Sequence, residues 1–421
     1  MSPTLLIKDV RIFDGEREIP SGSVLVENGL VKQVVEGSLT APDPATIVVS
    51  KQGHTLLPGL IDGHMHADVD DDGATLKQFL KFGFTTVCDM HQEAENISKL
   101  REQAAKDSDA ADYKTASQAA TVSGGWPTPA ILAHDSSEET IARISAWPNI
   151  KTQADVEAFI QDRLNDKVDY VKLIHEDGNG LSMKPTLIPV ELQKAIVESA
   201  HQHGLLAVAH ALSLKGTIEM LQAGVNGMVH TFFDRPPTKE VIDAYLLNNA
   251  YCSPTLVTIA SLTSEGLKEQ KRYCEDPRAH KHLSDQSKKN LHRCMALSDS
   301  AAKAEYAYQS VRELKAAGID IILGSDSAGP AHGTAFGLTA HQELAVLVKQ
   351  CGFTPKEALR AGTALVAKRL RLDDRGRIAE GLRADLVLVE GNPLEDIDHT
   401  LNIQGVWKKG TLCSAYEGIT A

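Results

Sequence analysis

Along the first sixty positions apolar and polar residues alternate with the period of two that a half-buried strand shows, from Thr4 to Phe13 and again from Ser23 to Val35. The second run is broken by Asn28-Gly29, which predicts a tight hairpin, because a type I′ turn needs positive φ at both central residues. From Thr75 the pattern changes. Amphipathic helical stretches such as Pro189 to His203 and Lys215 to Ala223 now alternate with short runs rich in Val, Ile and Leu. The clearest of these are Phe84 to Cys88, Tyr170 to Ile174, Leu205 to Ala209, Gly227 to Val229, Tyr251 to Leu256 and Ile319 to Leu323.

With Leu60 to His66 and a weaker run near Ala119 to Ser123, about eight βα units result, the number that closes a parallel barrel. After Arg371 strands return, at Ala384 to Glu390 and Ile403 to Lys408. The predicted fold class is therefore α/β: a (β/α)8 TIM barrel over residues 59–372, with a small β-sandwich built from residues 1–58 and 373–421. Neither strand-rich end is long enough to bury a good core alone. Two long connections, Gly124 to Ala154 and Ser261 to Glu313, are placed to shape a pocket. His280, His282 and His292 in the second are read as a solvated face.

Composition narrows the classes. The chain has 421 residues, 42% of them hydrophobic, which fits a soluble globular protein. A net charge of −13 argues against a nucleic-acid backbone as partner and favours a small-molecule substrate. Apolar runs fall short of the roughly 18 residues of a membrane span, and the first residues lack the apolar core of a secretory signal, so a cytoplasmic location with no membrane partner is expected. Cys88, Cys252, Cys274, Cys294, Cys351 and Cys413 are scattered without a Cys-x-x-Cys pair, and Cys88 and Cys252 read as core filler.

Candidate chemistry collects at the C-terminal ends of the predicted barrel strands, where barrel active sites lie. If Leu60 to His66 is extended, His64 and His66 project from one face. The fourth strand carries Lys172 inside an apolar run, where an ammonium is costly to bury. The fifth delivers His210, the sixth His230 and the eighth Asp326. Each alone is an ordinary structural residue; in register on successive strand ends they form a donor set for divalent metal.

These positions, with Leu57-Pro-Gly-Leu-Ile-Asp-Gly-His-Met-His, Gly83-Phe-Thr-Thr-Val, Gly324-Ser-Asp-Ser-Ala-Gly-Pro, Ala358-Leu-Arg-Ala-Gly-Thr and Gly376-Arg-Ile-Ala-Glu-Gly-Leu-Arg-Ala-Asp-Leu-Val-Leu-Val, resemble the amidohydrolase superfamily. The chain looks most like its imidazolonepropionase-related, prolidase-like branch, which includes metal-dependent dipeptidases and ochratoxin-hydrolysing amidases. The resemblance implies a binuclear site in which Lys172 is N6-carboxylated and bridges two divalent ions. His64, His66 and Asp326 would hold the more buried ion, and His210 and His230 the more exposed one. Zinc suits these ligands, and manganese or cobalt fits them too.

The implied reaction is hydrolysis of an amide C–N bond, dipeptide-like or non-peptide, by a hydroxide shared between the ions, with Asp326 as general base and then acid. Lactone, ester or phosphotriester hydrolysis, or a non-hydrolytic biosynthetic reaction, would use the same residues. A homo-oligomer is implied by the resemblance alone. Where many relatives carry Gly-Gly-His after the third strand, this chain has Ser123-Gly-Gly-Trp126, and a small Gly-rich turn after the fourth strand is replaced by His175-Glu-Asp-Gly. Trp126, Arg235 and His332 are the candidate substrate contacts.

Overall fold

A computed structural model describes residues 4–69, 73–329 and 331–418, so Pro330 of the motif after the eighth strand and the extreme ends of the expected sandwich lie outside the described residues. The architecture is mixed α/β. Parallel pairing runs through Leu60–Met65, Phe84–Asp89 and Asp112–Thr115, and separately through Tyr170–Ile174, Leu206–His210, Gly227–Met228 and Tyr251–Cys252. Single parallel bridges join these two sheets: Ala120 to Leu173, Cys252 to Ile321, and Ser327 back to Met65. The result is a closed ring of eight parallel segments. Leu60–Met65, Phe84–Asp89, Tyr170–Ile174 and Leu206–His210 are buried at every position, as strands covered by helices on one side and a packed interior on the other must be.

Three strand assignments shift. The third segment begins at Asp112, and Ala119 to Ser123 contributes only the bridge at Ala120; Ser117 at φ 55° turns the chain between the two. The seventh strand stops at Cys252 instead of Leu256. Pro254 has no N–H for a ladder, Thr255 turns left-handed at φ 53°, and Leu256–Leu262 is helical. The eighth is held by Ile321 and Ser327 rather than by a regular ladder over Ile319 to Leu323. Both long connections carry helices, Thr128–His134 and Glu138–Ser145 in the first, and Leu267–Glu275, Pro277–His280 and Asp285–Leu291 in the second. His280 and His292 are exposed as expected, but His282 is half-buried, its ring 5.8 Å from Phe82 and 6.0 Å from Tyr416.

The chain ends meet in one eight-stranded sheet, where Leu386–Glu390 runs antiparallel to His54–Pro58. Within it Asn28 (φ 53°) and Gly29 (φ 78°) form the expected hairpin turn between Glu18–Glu27 and Leu30–Glu36. Cys88 and Cys252 are fully buried. No helix of the described residues is long and apolar enough to cross a membrane.

Charged groups fasten this sheet to the ring. Arg375 and Arg383, both 7% exposed, converge on Asp112 at the start of the third segment, and Arg383 also holds Asp385 at 3.0 Å. Lys408, on the strand Ile403–Lys408, donates to the carbonyls of Ala104 (2.8 Å) and Asp107 (3.0 Å), closing the C-terminal end of the helix Ala94–Lys106. Burial alone would raise the Asp112 carboxyl, yet the two guanidiniums hold it well below the usual carboxylate range. A depressed folded-state pKa contributes stability that is complete above about pH 4 and lost as pH falls towards the folded value. Asp112→Asn is expected to destabilise the protein by about 3 kcal/mol at pH 7, because two buried cations lose the carboxylate they share and keep only Asp374 and Asp385, and to flatten the acid limb of stability against pH. Urea unfolding of both proteins from pH 7 to pH 3 checks this.

Candidate metal centre

Extended backbone through Leu60–Met65 places His64 and His66 on one face, and both reach the same carboxylate oxygen: Asp326 Oδ1 lies 3.2 Å from His64 Nε2 and 3.1 Å from His66 Nε2. Asp326 sits at φ 53°, a left-handed conformation that costs a non-glycine residue energy and turns its side chain back over the ring. Ser325 fixes that turn, its Oγ donating to Asp62 at 2.5 Å and its N–H to the same carboxylate at 3.0 Å. The donor atoms of His64, His66 and Asp326 all lie within 4.8 Å of one another.

His230 packs against this group at 4.8 Å between ring centroids from His64, and His210 stands 4.4 Å from His230. Lys172, 3% exposed, rises from the fourth strand, and its charge bears on His64, His66, His210 and His230 alike. The structure thus brings together all six residues that the strand-end pattern singles out.

Electrostatics prepare this set for metal. Burial drives His64 down to about 3 and His210 and His230 well below the usual imidazole value, so these rings are neutral and keep lone pairs. For His66 burial is outweighed by the hydrogen bond and charge of Asp326, and its pKa rises. Burial lowers Lys172 to about 7, with Asp326 and Asp89 opposing, so a large fraction is the free amine at neutral pH. The fit to a divalent ion rests on His64. Although Asp326 approaches Nε2, the direction makes no hydrogen bond, and both ring nitrogens are buried without a hydrogen-bond partner. Such groups cost about 1–3 kcal/mol unless something binds them, and nitrogen and carboxylate donors converging on one point suit a zinc-like cation.

Further residues hold the set in place, and the sequence reading assigned them no role. Glu176 Oε2 meets His210 Nε2 at 3.0 Å, and Thr255 Oγ1 meets His230 Nδ1 at 2.7 Å. Asp89 stands 3.9 Å from His66 Nδ1 and is itself held by Tyr113 Oη at 2.8 Å. Burial raises Glu176 to about 8 and Asp89 to about 6, each opposed by the N–H groups bound to it. Asp89 carried a signal, a carboxylate at a strand end; Glu176 lies in the turn noted only as replacing a small Gly-rich one, and nothing in the sequence marks Thr255.

The candidate substrate contacts divide. Trp126 is half-buried and lies nearly parallel to His210, 6.1 Å between centroids at 26°. His332 is half-buried after the eighth segment, its ring 6.1 Å from that of His134. Arg235 has a 61% exposed side chain paired with neighbouring Asp234 at 2.9 Å, and is not brought to the cluster.

Histidines, a lysine and an aspartate at the C-terminal end of a ring of parallel strands stand where barrel enzymes carry their active sites. The chain belongs to the amidohydrolase family, whose model matches residues 55–413. It is 30% identical over 230 residues to an ochratoxinase of Aspergillus niger, a match spanning 53% of this chain and 41% of that protein. An imidazolonepropionase of Deinococcus deserti is 37% identical over 103 residues, 24% of this chain and 25% of that one. The chain thus spans less than half the length of these curated relatives. Among solved structures, a Xaa-Pro dipeptidase with bound methionine superposes with a TM-score of 0.74 at 21% identity, covering 97% of this chain and 99% of that one. Molinate hydrolase does so with a TM-score of 0.77 at 20% identity, covering 100% and 97%. At these identities the superpositions attest the fold.

The buried amine makes a testable statement about stability. A lysine whose folded pKa lies near 7 against an unfolded value near 10.5 leaves the unfolded state binding more protons between those limits, so wild-type stability rises with pH across that window. Lys172→Met is expected to raise the melting temperature of metal-free protein at pH 7, with the gain shrinking as pH approaches 10. Calorimetric melts at several pH values measure it.

Proposed function

We propose that this chain is a binuclear metal-dependent hydrolase that cleaves an amide C–N bond of a small molecule. The convergence of His64, His66, Lys172, His210, His230 and Asp326 carries the reading, above all the buried, unpartnered nitrogens of His64. Family membership and the amide-hydrolase names of similar proteins support it. His64, His66 and Asp326 would hold one ion, His210 and His230 the second, and Lys172, N6-carboxylated, would serve both. Zinc is the ion these donors suit best. Bound there, divalent ions acidify a water and polarise a carbonyl.

The rest of the chemistry belongs to the protein. The free amine of Lys172 attacks carbon dioxide and loses a proton, becoming an anionic carbamate, which resolves the cost of a buried cation. Asp326, with Oδ1 turned to the histidines, takes the proton of the attacking water on Oδ2 and returns it to the leaving nitrogen, which otherwise departs as a poor amide anion. Trp126 forms an apolar wall beside His210, and His332 offers a polar contact at the rim. Residues 1–58 and 373–421 make up a small β domain, built on one sheet, beside the barrel of 59–372. The protein works in the cytoplasm as a homo-oligomer.

Metal analysis together with a panel of N-acyl amino acids, dipeptides, lactones and phosphotriesters tests the reading. The expected outcome is amide turnover that a chelator abolishes and zinc restores. Lys172→Ala is expected to lose metal and at least about a hundredfold in activity, beyond what supporting residues of metal sites usually cost. Lactone or phosphotriester turnover without amide turnover would replace the amide assignment, and a fully metallated, fully active Lys172→Ala would remove the carbamate.

A further inference from the structure

The turn after the fourth strand is tied to the fifth βα unit at each of three successive residues. His175 Nε2 pairs with Glu219 Oε2 at 2.8 Å, Asp177 Oδ2 accepts from Ser213 Oγ at 2.9 Å, and between them Glu176 turns inward. Glu176 is 1% exposed, and its carboxyl meets two backbone N–H groups and one ring nitrogen of His210. Oε1 accepts from Gly178 N at 2.8 Å, while Oε2 accepts from Leu212 N at 3.1 Å and lies 3.0 Å from His210 Nε2. Glu176 thus engages His210 at the Nε2 edge of the ring, and Nδ1 is the nitrogen left facing the cluster without a protein partner among the described residues. His230 is engaged the opposite way round, at Nδ1 by Thr255, which leaves Nε2. Two neighbouring imidazoles of one candidate ion are thus presented through different nitrogens.

We propose that Glu176 is a positioning residue that selects Nδ1 of His210 as the metal-binding atom and so builds the more exposed of the two metal positions. This rests on the metal reading given above. Removing Glu176 frees the ring to rotate and to change tautomer, and leaves the amides of Gly178 and Leu212 without a partner. His64, His66 and Asp326 do not touch it, so the more buried position is unaffected. Trp126, lying over the face of His210, restrains the ring's tilt but offers no acceptor to its edge.

Titration of the metal-free protein with cobalt(II), followed by visible absorbance and by elemental analysis after gel filtration, tests this directly. Wild type is expected to bind two ions. Glu176→Leu is expected to bind one with unchanged affinity and the other at least about tenfold more weakly, with an altered absorption band. Glu176→Gln, which keeps one acceptor oxygen, is expected to fall between the two. Asp177→Ala loses the Ser213 bond from the same turn and is expected to bind both ions as wild type does. Equal second-ion affinity in Glu176→Leu overturns the proposal, as does an equal loss in Asp177→Ala, which would make the turn a structural clamp and nothing more. If Glu176→Leu does not fold, Glu176→Gln decides: weaker second-ion binding sustains the proposal and wild-type binding overturns it. A wild type that binds fewer than two ions brings down the binuclear reading itself, and that arm is separate from the variants.

Discussion

The burial of one primary amine among four imidazoles is the constraint to which the rest of this structure answers. Lys172 is walled in by neighbouring strands, and water that would stabilise an ammonium is kept away. The same dry interior neutralises His64, His210 and His230. Each effect is unfavourable for stability in isolation, since polar groups are stripped of solvent without full replacement. Together they leave imidazole lone pairs and an amine near Asp326 without the solvent that would otherwise satisfy them.

Such an arrangement persists only if the scaffold is stiff. The ring supplies the stiffness by burying whole strands and closing on itself through the bridge from Ser327 to Met65. Asp326 and Thr255 are both held in left-handed backbone, and each turns a side chain onto the histidines. That strain is paired with anchors nearby. Ser325 grips Asp62, while Glu343, buried on the helix Leu338–Cys351, receives the N–H groups of Leu256 and Val257 just past Thr255. The Arg375, Arg383 and Asp112 cluster stands apart from the histidines, where the returning chain is locked to the start of a barrel segment. Sheet and ring are therefore coupled through fully used charges, while the charges at the opposite end of the ring stay available.

Local pattern reached far in this chain. A period of two along Leu60 to His66 was enough to place His64 and His66 on one face, and Asn28-Gly29 to place a hairpin, because both depend only on residues adjacent in sequence. Strand ends rich in His, Lys and Asp pointed to residues that the fold gathers at one rim, since a parallel barrel carries such positions there whatever the loops do. The pattern was weaker where backbone departs from regular geometry. The third segment was placed several residues late, and the seventh ran too long past Pro254, since an apolar run does not reveal a turn that distant contacts hold.

What the amino-acid order determined by itself was the alternation of elements, the strand ends that carry His, Lys and Asp, and the side of the sheet to which His64 and His66 point, all consequences of short-range periodicity. Tertiary structure alone decided that Glu176 meets His210 at Nε2 and Thr255 meets His230 at Nδ1, and that Trp126 covers His210 while Arg235 stays in solvent. The physical reason is directional. A hydrogen bond or a pKa depends on distance, angle and exclusion of water between residues far apart in the chain, and those are set only when the ring closes.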